Sequence, residues 1–217
     1  MKYRTVIFDL DGTLLHTLED LLDNLEASFD SLGLKGNFTR EEMESFLGSG
    51  KKTQMERALL SRNYSLDFLP ALDQALSVRY ETNAENKTRP FDGIVPLLEA
   101  LKSRGILVLC LTNKPHPVAL KVVNTYFNGL VEATYGVQSD GVTKPHPIMV
   151  ENTLLKHQLK REEVLYVGDS DIDMLTANNG GLASCFVTWG YVRRQDVEQY
   201  SPKYIVDEPL DILKIID

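Results

Sequence analysis

Four short stretches of the chain are apolar almost without interruption: Thr5-Val-Ile-Phe8, Ile106-Leu-Val-Leu-Cys-Leu111, Val164-Leu-Tyr-Val167 and Ala183-Ser-Cys-Phe-Val187. A strand with one wet face alternates apolar and polar positions, so unbroken runs of this length predict parallel strands covered on both sides. Between them the apolar period lengthens to that of a helix. Pro96 to Arg104 stops at Gly105, Pro117 to Phe127 stops at Asn128-Gly129, and Pro147 to His157 has its apolar residues at helical spacing. Proline near the start and glycine just past the end are what a helix tolerates at those places. Strand and helix in alternation predict an α/β fold with a doubly wound, Rossmann-like parallel sheet.

Residues 15–88 break this rhythm. They hold no convincing strand, several amphipathic stretches and much of the chain's charge. Leu18, Leu21, Leu22 and Leu25 fall on one helical face. Thr39 and Glu42 have the spacing of a capping box that opens a helix through Phe46, and further helices are expected around Met55–Leu60 and Leu66–Tyr80. The polar segment from Asn83 to Pro90 reads as the return linker. The expected organisation is a discontinuous α/β core, residues 1–14 and 89–217, carrying an inserted helical-bundle cap domain, residues 15–88.

A length of 217 residues fits one such core with a modest insertion. No apolar run approaches the roughly 20 residues of a membrane helix. The Val6-Ile-Phe8 run behind Lys2 and Arg4 is too brief for a signal peptide. A net charge of −8 argues against nucleic acid, whose phosphates are held largely by clustered Lys and Arg. Cys110 and Cys185 lie inside strand-like runs, where a free thiol behaves as a small hydrophobe. The expectation is a cytoplasmic protein, monomer or homodimer, with neither membrane nor nucleic acid as partner.

The candidate chemistry sits at strand ends. Asp9 and Asp11 follow the first run, Thr112 and Asn113 the second and Asp169 the third, and open α/β sheets bind ligands beyond the carboxyl ends of their strands. Asp9 and Asp11 are two residues apart, so in strand geometry both carboxylates project to one side; one can attack while the other transfers a proton. Alone, the pair is equally a turn whose aspartates bond to local backbone. Asp169 and Asp173 share a face if a helix starts there, with helix capping as the plain alternative and as the role expected of Asp171.

Lys144 is the expected counter-charge. With Asp11 protonated as a general acid, Asp9, Asp169 and Asp173 carry charge that Lys144 and one Mg²⁺ together cancel, and a phosphate dianion becomes bindable. Uncompensated, each carboxylate–phosphate charge pair at about 4 Å would repel by about 4 kcal/mol at an effective dielectric near 20. Oxygen-only ligands select a hard cation, Mg²⁺ in particular.

The order of these residues resembles the haloacid dehalogenase superfamily of phosphohydrolases: Asp9-Leu-Asp-Gly-Thr-Leu14, Leu111-Thr-Asn-Lys114, Lys144-Pro145 and Gly168-Asp-Ser-Asp-Ile-Asp173. The resemblance implies Asp9 as nucleophile, Asp11 as acid/base and Thr112 and Lys144 as phosphate binders. It also implies Asp169, supported by Asp173, as metal ligand, with Asp11 meeting the metal through its main-chain carbonyl. The expected Mg²⁺ set is therefore Asp9, Asp11, Asp169 and Asp173, and the expected phosphate cradle is Gly12, Thr112, Asn113 and Lys144. The insertion is similar, over Phe46-Leu-Gly-Ser-Gly-Lys-Lys-Thr-Gln-Met-Glu-Arg-Ala-Leu59, to the helical cap of the phosphoglycolate phosphatase subgroup. That likeness puts 2-phosphoglycolate first among small phosphorylated metabolites. Sugar phosphates, nucleotides, pyrophosphate and a β-phosphoglucomutase-like phosphotransfer are the alternatives.

Other features are absorbed less dramatically. Gly48-Ser-Gly-Lys-Lys-Thr53 is not a P-loop, because Ser45 and Lys52 stand where that motif needs Gly and Ser or Thr, and no strand precedes it. It is expected as a flexible cap loop, with Lys51 reaching a substrate carboxylate or solvent. Lys114-Pro-His-Pro117 and Lys144-Pro-His-Pro147 repeat four letters, and prolines at helix starts explain this better than duplicated metal sites. The four histidines share no zinc-ligand spacing. Trp189-Gly-Tyr191 lines an entrance or simply packs. Outside the enzymes, a receiver phosphorylated on aspartate would leave the insertion unexplained, and a silent binding protein would leave the full polar set without a purpose.

Overall fold

The computed structural model of the chain describes residues 1–83 and 86–217; Ala84 and Glu85, within the expected return linker, lie outside the described residues. The chain divides into two compact units, residues 1–16 with 90–217, and residues 17–89.

The first unit is built on six parallel strands: β1 (Thr5–Phe8), β2 (Leu107–Pro115), β3 (Ala133–Val137), β4 (Val164–Gly168), β5 (Ala183–Val187) and β6 (Tyr204–Val206). They lie in the order β3-β2-β1-β4-β5-β6, the arrangement of a doubly wound sheet. Parallel neighbours cannot be joined by a tight hairpin, so helices occupy the returns: Ile94–Ser103 before β2, then His116–Phe127, Ile148–His157, Asp171–Asn179 and Arg194–Val197 between successive strands. β1 is buried along its whole length, with Thr5 opposite both Leu107 and Val164 and Phe8 opposite Cys110 and Val167. Ile7, Leu109, Leu111, Val164 and Tyr166 pack with Val150, Leu154 and Ala177 in one cluster that seals the sheet under two helices. Cys110 and Cys185 are buried free thiols, as expected of their apolar runs.

The α/β reading holds, but two strands of this sheet escape it, and Leu15–His16, within the stretch read as strandless, forms a two-residue strand. β3 alternates half-buried and buried positions, and β6 has three residues; they are the two edges of the sheet, where no unbroken apolar run is needed. β2 also continues beyond Leu111 to Pro115, which places Thr112, Asn113 and Lys114 in extended backbone.

The second unit holds four α-helices among the described residues: Leu18–Ser31, Arg40–Phe46, Lys51–Ser61 and Leu69–Asn83. The Thr39 hydroxyl accepts from the Glu42 N–H at 3.2 Å and the Glu42 carboxylate accepts from the Thr39 N–H at 2.9 Å, completing the capping box. Leu18, Leu21 and Leu25 are buried, while Leu22 lies at the margin. Buried Asp20 accepts the Lys87 and Thr88 N–H groups and the Thr88 hydroxyl, fixing the described part of the return segment to the first helix. The loop expected around Gly48 ends earlier than its polar composition suggests, since Lys51 is already helical. Its ammonium lies 2.7 Å from Asp73 Oδ1 and donates to Ser77 Oγ at 2.6 Å. Among the described residues, no helix is long and apolar enough to cross a membrane.

Candidate active site

The strand order reverses on either side of β1 and β4, and the crevice beyond such a switch point is where an open α/β sheet takes its ligand. Asp9 directly follows β1 there, its N–H donating to the Val167 carbonyl of β4 at 2.9 Å. The chain then turns sharply: the Leu10 carbonyl accepts from both Leu14 and Leu15, and Gly12 has φ +91°. A Cβ at Gly12 would fall inside the Asp169 carboxylate, so this turn can lie against β4 only with glycine.

Asp9, Asp169 and Asp173 each offer an oxygen, and these atoms lie within 4.8 Å of one another. Lys144 is buried among them, its Nζ donating to Asp9 Oδ1 at 2.6 Å and to Asp173 Oδ1 at 2.8 Å. Three buried carboxylates thus meet one buried ammonium. The deficit suits a divalent cation, because buried charges persist only when paired or ligating. Burial lifts the Asp9 carboxyl from 3.8 to about 7; Lys144 pulls it back, while Asp173 and Asp11 add to the rise. Asp169 is held well above the usual carboxylate range by burial first, then by Asp173 and Asp9. Burial alone would weaken the Lys144 cation, but Asp173 and Asp9 outweigh it and hold its pKa well above that of an ordinary lysine.

Asp173 serves two elements at once. Its Oδ2 accepts the N–H and hydroxyl of Ser170 in a capping box that opens the helix Asp171–Asn179, and its Oδ1 takes Lys144 and the Tyr166 hydroxyl. Capping and the charge cluster, alternatives in the sequence, are therefore both realised. Asp171 begins the helix outside the cluster.

Asp11 does not join the three carboxylates through its side chain. Both of its oxygens accept from Lys114 Nζ, at 2.8 and 3.1 Å. The charge balance drawn from the sequence counted one lysine; the fold brings a second ammonium, that of Lys114, to the Asp11 side chain. Lys114 is the residue that sequence reasoning missed. A signal was present: it stands two positions after Thr112, hence on the same side of an extended strand, and it opens the same Lys-Pro-His-Pro block as Lys144. Thr112 is buried and its hydroxyl accepts from the Lys114 N–H at 3.2 Å, while the Asn113 carboxamide is turned onto the Lys144 backbone. Lys51 belongs to the helical unit, where its ammonium is paired with Asp73.

The aromatic segment after β5 holds Asp169. The Trp189 indole N–H donates to the Thr13 carbonyl at 3.0 Å, the Tyr191 N–H donates to Asp169 Oδ2 at 2.8 Å, and the Thr13 hydroxyl donates to Asp169 Oδ1 at 2.9 Å. A Cβ at Gly190 would overlap the Asp169 side chain. Gly190→Ala is therefore expected to weaken apparent divalent-cation affinity by about 10- to 100-fold, the usual effect of disturbing a ligand's support. The half-saturating cation concentration measures it, and an unchanged value would show that this loop does not place Asp169.

These features have counterparts in known proteins. A model of the haloacid dehalogenase-like hydrolase family matches residues 6–187. The phosphoglycolate phosphatase of Aquifex aeolicus is 28% identical over 99% of this chain and 97% of its own length. That of Mesorhizobium japonicum is 30% identical over 95% and 91%. The solved structure of a Haemophilus somnus protein matches with a TM-score of 0.90 at 27% identity, covering 100% of this chain and 99% of that one. The chain belongs to the haloacid dehalogenase-like hydrolase family, and its enzyme class is that of the phosphoric monoester hydrolases.

Proposed function

We propose that the chain hydrolyses a small phosphorylated metabolite through an aspartyl-phosphate formed on Asp9. The observation that carries this reading is the Asp9 carboxylate at the switch point, with Lys144 Nζ 2.6 Å from one oxygen and Asp169 and Asp173 beside it. From there it attacks phosphorus in line, and the bond from phosphorus to the leaving oxygen breaks with its electron pair going to that oxygen. Asp11 gives the oxygen a proton, then takes one from the water that attacks the aspartyl-phosphate. Phosphate leaves and Asp9 returns as a carboxylate.

Thr112 and Lys144 hold the phosphoryl oxygens in this scheme; the Gly12 N–H, expected to join them, donates to the Leu15 carbonyl at 2.9 Å within its own turn. Asp9, Asp169 and Asp173, with the Asp11 main-chain carbonyl, would hold Mg²⁺, which when bound supplies positive charge against the phosphate dianion. The helical unit, residues 17–89, acts as a cap that selects the leaving group and excludes water, with Lys51 exchanging Asp73 for a substrate carboxylate. The names of the relatives and the likeness around Phe46–Leu59 support 2-phosphoglycolate as substrate. The acidic charge of −8 supports a small-molecule rather than a nucleic-acid partner. A monomer or homodimer in the cytoplasm completes the reading.

A phosphate-release panel of phosphoglycolate, sugar phosphates, nucleotides and pyrophosphate tests it. Phosphoglycolate should give the highest kcat/KM, and a chelator should abolish turnover. A preference of about tenfold for another member, roughly 1.4 kcal/mol of transition-state binding, would replace the substrate. No release from any monoester would overturn the reading itself.

A further inference from the structure

Asn113 was expected from the sequence to touch phosphate, yet its carboxamide is engaged elsewhere. Oδ1 accepts the Lys144 N–H at 2.7 Å and Nδ2 donates to the Lys144 carbonyl at 3.2 Å. Both polar ends of one buried side chain grip both polar groups of a single backbone residue, as a neighbouring strand would. Lys144 needs such a partner, because the segment from residue 138 to 147 between β3 and the helix Ile148–His157 has no regular structure. On the far side, Asn179 Nδ2, at the end of the helix Asp171–Asn179, donates to the Pro145 carbonyl at 2.8 Å. The Lys144 backbone is thus pinned from the end of β2, and its neighbour from the helix that carries Asp173.

We infer that Asn113 is a positioning residue for Lys144: it sets the backbone from which the ammonium reaches Asp9 and Asp173. Four methylenes separate Nζ from Cα, so a fixed backbone removes the first source of spread in where the charge lies. A displacement of about 1 Å in such a group costs on the order of 100-fold in rate. This inference rests on the reading of Lys144 as a phosphate-binding residue, and the experiment separates the two.

Asn113→Ala, Lys144→Ala and the double variant are compared by titration of inorganic phosphate in the presence of Mg²⁺, and by kcat on the preferred monoester. Each single variant should weaken phosphate binding by tenfold or more, and Asn113→Ala should cost less than about twofold once the Lys144 side chain is gone, because residues acting as a unit are not additive. Losses that multiply in the double variant would overturn the inference, whether they come from direct contact with phosphate or from general damage to the fold. A Lys144→Ala variant that binds phosphate like the parent would instead overturn the phosphate-binding reading. Should Asn113→Ala not fold, Asn113→Asp repeats the cycle, since it keeps an acceptor for the Lys144 N–H and sets an oxygen against the Lys144 carbonyl. The same near-absence of further loss in the Lys144→Ala background is expected.

Discussion

Asp9→Asn should release no measurable phosphate, a loss of at least about 10⁴-fold, because a carboxamide cannot form the aspartyl-phosphate and removal of a nucleophile costs on this order. The amide retains an oxygen for Lys144, so the loss should come without unfolding. The folded-state value of Asp9, about 7, lies above its ordinary 3.8. The proton it keeps therefore stabilises the fold fully below about pH 4, and that contribution is lost as pH climbs through about 7. Asparagine cannot ionise, so thermal unfolding in metal-free buffer should show the variant gaining on the parent across this range. Turnover within tenfold of the parent would remove Asp9 from the chemistry. A variant that falls further behind as pH rises would show that the buried charge is compensated in some other way.

Lys144→Met should damage both activity and stability. Methionine fills much of the same volume but leaves Asp9 and Asp173 without the ammonium that both contact. Breaking one partner out of a buried pair costs about 3–5 kcal/mol, and loss of a fixed cation from the phosphate site about 10³-fold in turnover. The two effects have a pH signature. Near pH 5 the parent's Asp9 still holds its proton, so the lysine is worth less there than at pH 8, where the carboxylate is ionised. Thermal melts should show the larger gap between variant and parent at the higher pH, with Mg²⁺ narrowing it. An equal gap at both pH values would mean that Lys144 stabilises by packing rather than by charge.

How much of this was legible depended on burial. β1, β2, β4 and β5 declared themselves because strands covered on both faces must be apolar at successive positions. β3 and β6, the sheet edges, gave no such run. In the site, Asp9 and Asp169 stood out because they follow buried strands, Asp173 by its four-residue spacing from Asp169, and Lys144 as the counter-charge that the carboxylates need. The fold brings those four together and turns Asp11 onto Lys114. Lys114 was hidden by an explanation that was sound as far as it went. Its block does open a helix, as proline near a helix start suggests, but so does the matching block at Lys144, and each delivers an ammonium to an aspartate. The support of Asp169 by Tyr191 and the grip of Asn113 on Lys144 depend on main-chain groups far apart in sequence, which side-chain spacing does not encode.

The central place of β1 also governs when the enzyme can begin to work. Asp9 meets Lys144 across 135 residues and Thr13 meets Asp169 across 156. A chain emerging at roughly 5–20 residues per second exposes Asp9 and Thr13 many seconds before either partner exists. Such long closures are slow to form because loop entropy must be lost before the contacts are gained. The Tyr191 N–H that steadies Asp169 emerges later still. Catalytic competence should therefore appear only after most of the chain has left the ribosome, and the first turnover marks near-completion of folding rather than its onset.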